Sequence, residues 1–303
     1  MNSYLQVRDL RVVFDGFVAV GGVDLTVMSG DLRFLIGPNG AGKTTLVDAI
    51  TGLAPGSGSA SFNEQELIGR KSHQIARLGV GRTFQTATVF DELSVLQNLD
   101  IAAGSQRKSR ALLGIRRRTP ESVERALETV GLTSVVHTPA GVLPHGQKQW
   151  LEIGMLLVQN ATLMLLDEPV AGMSAEERDE TGQLLRRIGA DRTIIVIEHD
   201  MDFVRTFADS VTVMHAGRVL SEGSVAHIQA DPRVQEVYLG RTADAASGTG
   251  SDSARGEPDE KAEEAAWDAA EAAEAAGSPG GAGTTGGAAV GAAPAGEGAS
   301  CSN

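Results

Sequence analysis

The sequence predicts an α/β fold: a parallel sheet covered on both faces by helices, with a small antiparallel β unit before it and a mostly helical insertion inside it. Three observations predict it. The runs Leu32–Ile36, LMLLDEP (Leu163–Pro169) and TIIVIEHD (Thr193–Asp200) are apolar enough to be strands buried on both faces. Segments of helical spacing alternate with them. A single glycine-rich loop follows the first buried strand and opens a helix, and no internal repeat occurs, so the chain holds one unit of this kind.

In chain order, Tyr4–Phe14 and Val23–Val27 alternate apolar and polar residues on either side of the Gly21–Gly22 pair and read as antiparallel strands. Leu32–Ile36 is the first buried strand; GPNGAGKTT follows, then Leu46–Leu53 with helical spacing. Residues from about Asp91 to Val142 have helical spacing and no convincing strand, and form the insertion. The charged segment Ala175–Ile188 reads as a helix between the second and third buried strands. Near the C-terminus, Lys261–Ala276 has high helix propensity but no apolar stripe beyond Trp267, which predicts transient helix.

Composition sets the boundary of the folded part. Thr242–Asn303 holds 20 Ala and 12 Gly among 62 residues, with no Ile, Leu, Phe or Tyr, and reads as disordered. Its 11 acidic and 2 basic residues give −9, which leaves −4 of the total −13 for the first 241 residues. Those 241 residues suit one large α/β domain or one domain with a subdomain. The only cysteine, Cys301, excludes an intrachain disulfide and hence a disulfide scaffold. No apolar run reaches the roughly 18 residues of a spanning helix, and the start MNSYLQVRDL lacks a signal-peptide core, so a cytoplasmic protein is expected. Net negative charge argues against nucleic-acid binding.

Gly37-Pro38-Asn39-Gly40-Ala41-Gly42-Lys43-Thr44 fits G-x-x-x-x-G-K-[ST] between a strand and a helix. Glycines let the backbone turn its N–H groups toward phosphates, and the helix adds its positive end. Lys43 would reach the β- and γ-phosphates of ATP, and the Thr44 hydroxyl, followed by Thr45, would ligate Mg²⁺. A chance glycine turn is the alternative, and the flanking strand and helix argue against it. Asp167 and Glu168 end the second buried strand, where one carboxylate can hold Mg²⁺ and the other can polarise an attacking water. His199, after the third strand, is placed to contact the γ-phosphate; taken alone, a histidine there is more often structural.

The ordered set resembles the ATP-binding subunit of ABC transporters over about residues 3–241. The resemblance implies a P-loop ATPase with a RecA-like parallel-sheet core, an N-terminal antiparallel β subdomain, a helical subdomain at about 91–155 and a disordered tail at 242–303. It implies that Phe14, otherwise as readily a core aromatic, stacks on adenine, and that Gln85 in GRTFQ touches Mg²⁺ and contacts the membrane subunit. Leu143-Pro144-His145-Gly146-Gln147 matches the signature that caps the ATP held by the opposite subunit. Ala171–Ser174 matches the loop linking the two sites of a dimer, and Glu198–Asp200 the switch-histidine segment. HGQKQWLEIG, LLDEPVAGM, EHDM and DPRVQEVYLG look like the branched-chain amino acid and urea importers. His145 with KQWLEIGMLL is most similar to one of the two ATP-binding subunits of the urea transporter. The implied partners are a second ATP-binding subunit, in a heterodimer or a homodimer, membrane-spanning permease subunits and, indirectly, an extracytoplasmic solute-binding protein. The implied location is the inner face of the cell membrane.

One residue departs from the pattern. Pro144 stands where the signature has a serine whose hydroxyl reaches the γ-phosphate across the dimer. Proline is tolerated in the first helical turn, so the fold survives, while one hydrogen bond to a charged group is lost, on the order of 1.5–3 kcal/mol. Either one composite site of a heterodimer is weakened, or a competent pump is slowed. Rival classes fit less well. ABC proteins of chromosome maintenance separate the two nucleotide motifs by hundreds of residues, against 124 between Lys43 and Asp167, and those of translation carry two such units. A regulatory subunit with little hydrolysis is favoured only by Pro144. The cluster Arg107, Lys108, Arg110 and Arg116–Arg118 reads as a solvated face, or as a contact for anionic lipid.

Overall fold

A computed structural model describes residues 5–84, 88–104 and 119–237. Gln85, the basic cluster at 107–118 and the segment from 238 onward lie outside the described residues.

Strands β1 (Leu5–Phe14) and β2 (Phe17–Val27) form a hairpin about Asp15 and Gly16, both at positive φ, 45° and 88°. That pair of angles matches the right-handed strand twist. β4 (Ser57–Phe62) pairs with the other edge of β1 and carries the short β5 (Gln65–Glu66), giving the antiparallel order β2-β1-β4-β5. β2 is longer than its alternation suggests because it runs through Gly21–Gly22 with a bulged register. Gly22 has φ 90°, a conformation that strains any residue carrying a Cβ, so the bulge favours glycine.

The second sheet has the order β10-β9-β3-β8-β7-β6, comprising Arg218–Gly223, Ser210–His215, Leu32–Ile36, Thr193–Ile197, Leu163–Asp167 and Val80–Arg82. All neighbours are parallel except β10, which returns antiparallel on β9. The buried strands β3, β7 and β8 form where their density predicts, and the last two stop at Asp167 and Ile197, short of Pro169 and Asp200. β4, β5, β6, β9 and β10 carry no comparable signal, since they are short, glycine- and serine-rich, or partly exposed.

Strand alternation divides the core. Phe34, Met164, Leu166, Ile194 and Val196 pack on α5 (His145–Val158), α6 (Ala175–Gly189) and α7 (Met201–Phe207), through Leu151, Leu185 and Phe203. Leu35, Leu163, Leu165, Ile195 and Ile197 face α1 (Lys43–Thr51) and the antiparallel sheet, through Leu46, Ile50, Leu5 and Phe62. Burial on both faces is why these strands read as continuous apolar runs. The insertion holds α3 (Val95–Gly104), α4 (Glu121–Val130) and α5, joined in part by 3-10 turns at Thr133–Val135 and Ala140–Val142. Val123, Leu127 and Val130 of α4 point into the core at helical spacing, and α5 runs on to Val158. The remaining short helices are α2 (Ser72–Arg77) and α8 (Val225–Ala230). Among the described residues no helix is long and apolar enough to cross a membrane.

Candidate functional site

β3 delivers the glycine loop to α1, and the loop is wedged between two other strands. A Cβ on Gly37 would stand 2.2 Å from Met214 O at the end of β9, and one on Gly42 would stand 2.5 Å from Ala19 O in β2. Both residues have positive φ, 152° and 93°, so glycine is required twice over. Gly217 N–H donates to Ala41 O at 3.0 Å and Gly21 N–H to Gly217 O at 2.8 Å, tying loop, β9–β10 turn and β2 together. The N-cap of α1 is Gly42, which has no side chain to cap it, so its first N–H groups are open to an anion. Lys43 Nζ lies over the loop, donating to Gly37 O at 2.9 Å and Pro38 O at 3.3 Å. Burial lowers the Lys43 pKa, while the carboxylates of Glu168 and Asp167 act to raise it. Thr44 is exposed and Thr45 half-buried in the same first turn.

The acidic pair ends β7 beside β8, with Asp167 opposite Ile197. Asp167 is 6% exposed; its Oδ2 accepts from Arg82 Nη2 at 3.3 Å and its N–H donates to Thr83 Oγ1 at 3.3 Å. Burial pushes its carboxyl pKa up and the Arg82 guanidinium pulls it down, with burial the larger. Glu168 has φ 46°, a left-handed conformation rare for a side-chain-bearing residue, held by its N–H on Ile197 O at 3.0 Å. Its Oε1 lies 3.5 Å from His199 Nδ1, and the imidazole is 63% exposed. Glu198, 1% exposed, gathers this corner: it accepts from the N–H groups of His199 at 3.0 Å, Asp200 at 3.3 Å and Val170 at 3.4 Å. Burial raises its pKa against those three donors. Asp200 caps α7 through the N–H groups of Asp202 and Phe203 and pairs with Arg178 of α6.

The structure thus brings Lys43, Asp167, Glu168 and His199 together at the ends of adjacent strands, from positions up to 156 apart in sequence (199 − 43). Thr44 and Asp167 offer hard oxygen donors of the kind Mg²⁺ takes beside phosphates. Among the described residues no group of three or more His, Cys, Asp or Glu could hold a metal ion. A site completed by phosphate oxygens needs no such group.

The other expected residues have different surroundings. Phe14, at the tip of the β1–β2 hairpin, is 44% exposed and its neighbour Phe17 68%. Pro144 is the N-cap of α5, at φ −53° and ψ 153°, one position before the first turn where the sequence suggests it. Its ring suits that φ, and α5 is left without a side-chain cap. A Cβ on Gly146 would lie 3.0 Å from Glu177 Oε1, and His145 borders Gly172, so the Leu143–Gln147 segment packs on the Ala171–Ser174 loop and the start of α6. Trp150 Nε1 donates to Thr181 Oγ1 at 2.8 Å and anchors α5 to α6. The contacts of four residues of this corner escape sequence reasoning. Arg82 and Thr83 stand inside GRTFQ, but nothing local reveals that they reach position 167; Glu198 is matched only as part of the switch-histidine segment, and Arg178 reads as an ordinary charged residue.

Comparison with known proteins places this arrangement. The family model described as "ABC transporter" matches residues 20–171, and that of the "Branched-chain amino acid ATP-binding cassette transporter" matches residues 218–244. The chain is 36% identical over 248 residues to the high-affinity branched-chain amino acid transport ATP-binding protein BraF of Pseudomonas aeruginosa, covering 78% of this chain and 97% of that one. The same values hold for LivG of Escherichia coli, likewise named for branched-chain amino acid transport. Among solved structures, the ADP conformation of MJ1267, an ATP-binding cassette of an ABC transporter, superposes with a TM-score of 0.70 at 30% identity, covering 79% of this chain and 99% of that one. The cbiO1 protein of Clostridium perfringens, part of the ABC transporter complex cbiONQ, gives a TM-score of 0.68 at 26% identity, covering 81% and 99%. The chain therefore belongs to the ATP-binding subunits of ABC transporters, in the branched-chain amino acid importer family, and is an ATPase coupled to transport.

Proposed function

We propose that this subunit energises the import of branched-chain or other amino acids. It would work with a second ATP-binding subunit on membrane-spanning permeases at the inner face of the membrane, fed by an extracytoplasmic solute-binding protein. The observation that carries the ATPase reading is the convergence of Lys43, Asp167, Glu168 and His199 on one corner of the sheet. The solute comes from the names of the relatives, which favour amino acids over the urea reading suggested by His145 and KQWLEIGMLL.

In this reading the backbone N–H groups that the Gly37–Thr45 loop offers after Pro38 and the Lys43 ammonium hold the phosphates, and Phe14 supports the adenine. Thr44, Asp167 and Gln85 would hold Mg²⁺, whose chemistry is to neutralise charge on the β- and γ-phosphate oxygens. Glu168 orients a water and takes its proton as the water oxygen bonds to the γ-phosphorus and the bond to the bridging oxygen breaks, yielding ADP and phosphate. His199, 3.5 Å from Glu168, keeps that carboxylate aimed and presents a donor to the γ-phosphate. The segment Pro144-His145-Gly146-Gln147 would serve the ATP of the opposite subunit. The paired Glu168 and His199 count against a purely regulatory subunit.

The test is reconstitution with the membrane subunits in liposomes. ATP-dependent uptake of labelled leucine is expected. ATP-dependent uptake of urea without leucine would reassign the solute, and uptake that continues without ATP would remove the energising role.

A further inference from the structure

We propose that Arg82 is a positioning residue for the divalent-cation site, setting the Asp167 carboxylate by holding it and Asp48 on a single guanidinium. The inference rests on the assignment of Asp167 made above. Arg82 ends β6, the edge strand beside β7, and its side chain turns inward to only 7% exposure. Nη1 donates to Asp48 of α1, and Nη2 lies 3.3 Å from Asp167 Oδ2. The guanidinium also lies over the Phe84 ring, its carbon 5.0 Å from the ring centroid. Asp48 lies five positions beyond Lys43 on α1, so this one side chain ties the helix that opens at the glycine loop to the acidic strand end.

The chemistry singles out arginine. A planar fork can serve two carboxylates at once with separate nitrogens, whereas an ammonium acts as a point charge and would have to choose. The charges are near balance: Asp48, Asp167 and Glu168 against Lys43 and Arg82 leave −1. Without Arg82 the corner would stand at −2, which attracts a cation more strongly but leaves the buried Asp167 free to turn. Mg²⁺ requires near-ideal octahedral geometry and tolerates a misplaced ligand poorly, so the loss of orientation outweighs the gain in charge. Groups that hold a metal ligand in place typically change metal affinity by about 10–100-fold when removed.

The experiment uses the purified full-length chain, a fluorescent ADP and a Mg²⁺ titration, with nucleotide affinity in excess EDTA measured alongside. Arg82→Met is expected to raise the Mg²⁺ concentration at half-response about tenfold while leaving EDTA affinity within about twofold. Arg82→Lys should fall between, and it carries the test if the Met variant does not fold. Asp48→Asn, which weakens one arm of the fork and keeps the Arg82–Asp167 contact, should raise the half-response less than Arg82→Met. Mn²⁺ bound in place of Mg²⁺ and counted by electron paramagnetic resonance gives an independent readout. An unchanged Mg²⁺ half-response in both Arg82 variants would overturn the proposal, as would an EDTA affinity that falls as far as the Mg²⁺-dependent one. Asp167→Asn separates the two failures. If it shifts the half-response and the Arg82 variants do not, only the role of Arg82 is lost; if it too leaves the half-response unmoved, Asp167 itself is misassigned.

Discussion

At φ 46°, Glu168 holds a backbone conformation that costs a side-chain-bearing residue on the order of 1–3 kcal/mol, and it is kept there by the Ile197 carbonyl. That geometry turns its carboxylate out of β7 and sets it beside His199. Replacing it with Gln preserves size and removes the base. Glu168→Gln should lower steady-state ATPase activity by about a hundredfold to ten-thousandfold, the usual contribution of a positioned general base. Fluorescent-nucleotide titration should give an unchanged affinity, because the phosphate loop is untouched; near-normal turnover would end the assignment. Residues such as Lys43, Asp167, Glu168 and His199 are legible in the sequence because each stands at a fixed offset from a strand end. The contacts of Arg82 and Glu198 are not, since they reach residues remote in sequence or the backbone of the next loop.

Helix α5 carries two features that sequence spacing alone does not expose. At its start, Pro144 caps nothing. Pro144→Ser would create the Ser-x-x-Gln pattern of a capping box with Gln147, worth about 1 kcal/mol of stability. The same hydroxyl would restore the bond expected across the dimer, so ATPase activity of the assembled transporter should rise at least about tenfold, given 1.5–3 kcal/mol for a charged hydrogen bond. A higher melting temperature with an unchanged rate would show that Pro144 matters to the helix and not to turnover. Further along, Glu152 is 5% exposed; its Oε1 accepts from Thr88 N–H and its Oε2 has no hydrogen-bond partner among the described residues. Burial pushes its pKa from 4.5 to about 7. The folded chain therefore binds a proton that the unfolded chain releases. The stability this group contributes is complete below about pH 4.5 and declines as pH rises to about 7. The interval is worth on the order of 3 kcal/mol. Glu152→Gln keeps an oxygen for Thr88 and removes the charge, so urea unfolding should find it more stable than wild type at pH 8 and about equal near pH 4.5; parallel pH dependences in the two proteins would refute the burial argument. Elements were legible in the same uneven way. Dense strands β3, β7 and β8 announce themselves because both faces are apolar, whereas β4 (SGSASF) and β6 (VGR) gain their strand character from neighbours.

For the whole molecule, charge is spread unevenly along the chain. The first 241 residues carry −4 and contain every residue assigned to nucleotide chemistry, while Thr242–Asn303 carries −9 with no Ile, Leu, Phe or Tyr. The relatives match over about 248 residues, and BraF is covered to 97% of its length without requiring the remainder of this chain. A segment this poor in large apolar side chains offers little apolar area to bury, and charges more than about 10 Å apart in salt solution are largely screened from one another. Deleting Thr242–Asn303 should therefore leave the melting temperature within about 2 °C, since a change of 1 kcal/mol moves a domain of this size by roughly 2–4 °C. ATPase activity of the assembled transporter at physiological salt should stay within about twofold. At low salt the acidic segment is screened less, and a rise in activity confined to that condition on deletion would trace to long-range repulsion of the nucleotide anion. A loss of activity or assembly at physiological salt would mean that the acidic segment makes a contact its composition does not reveal.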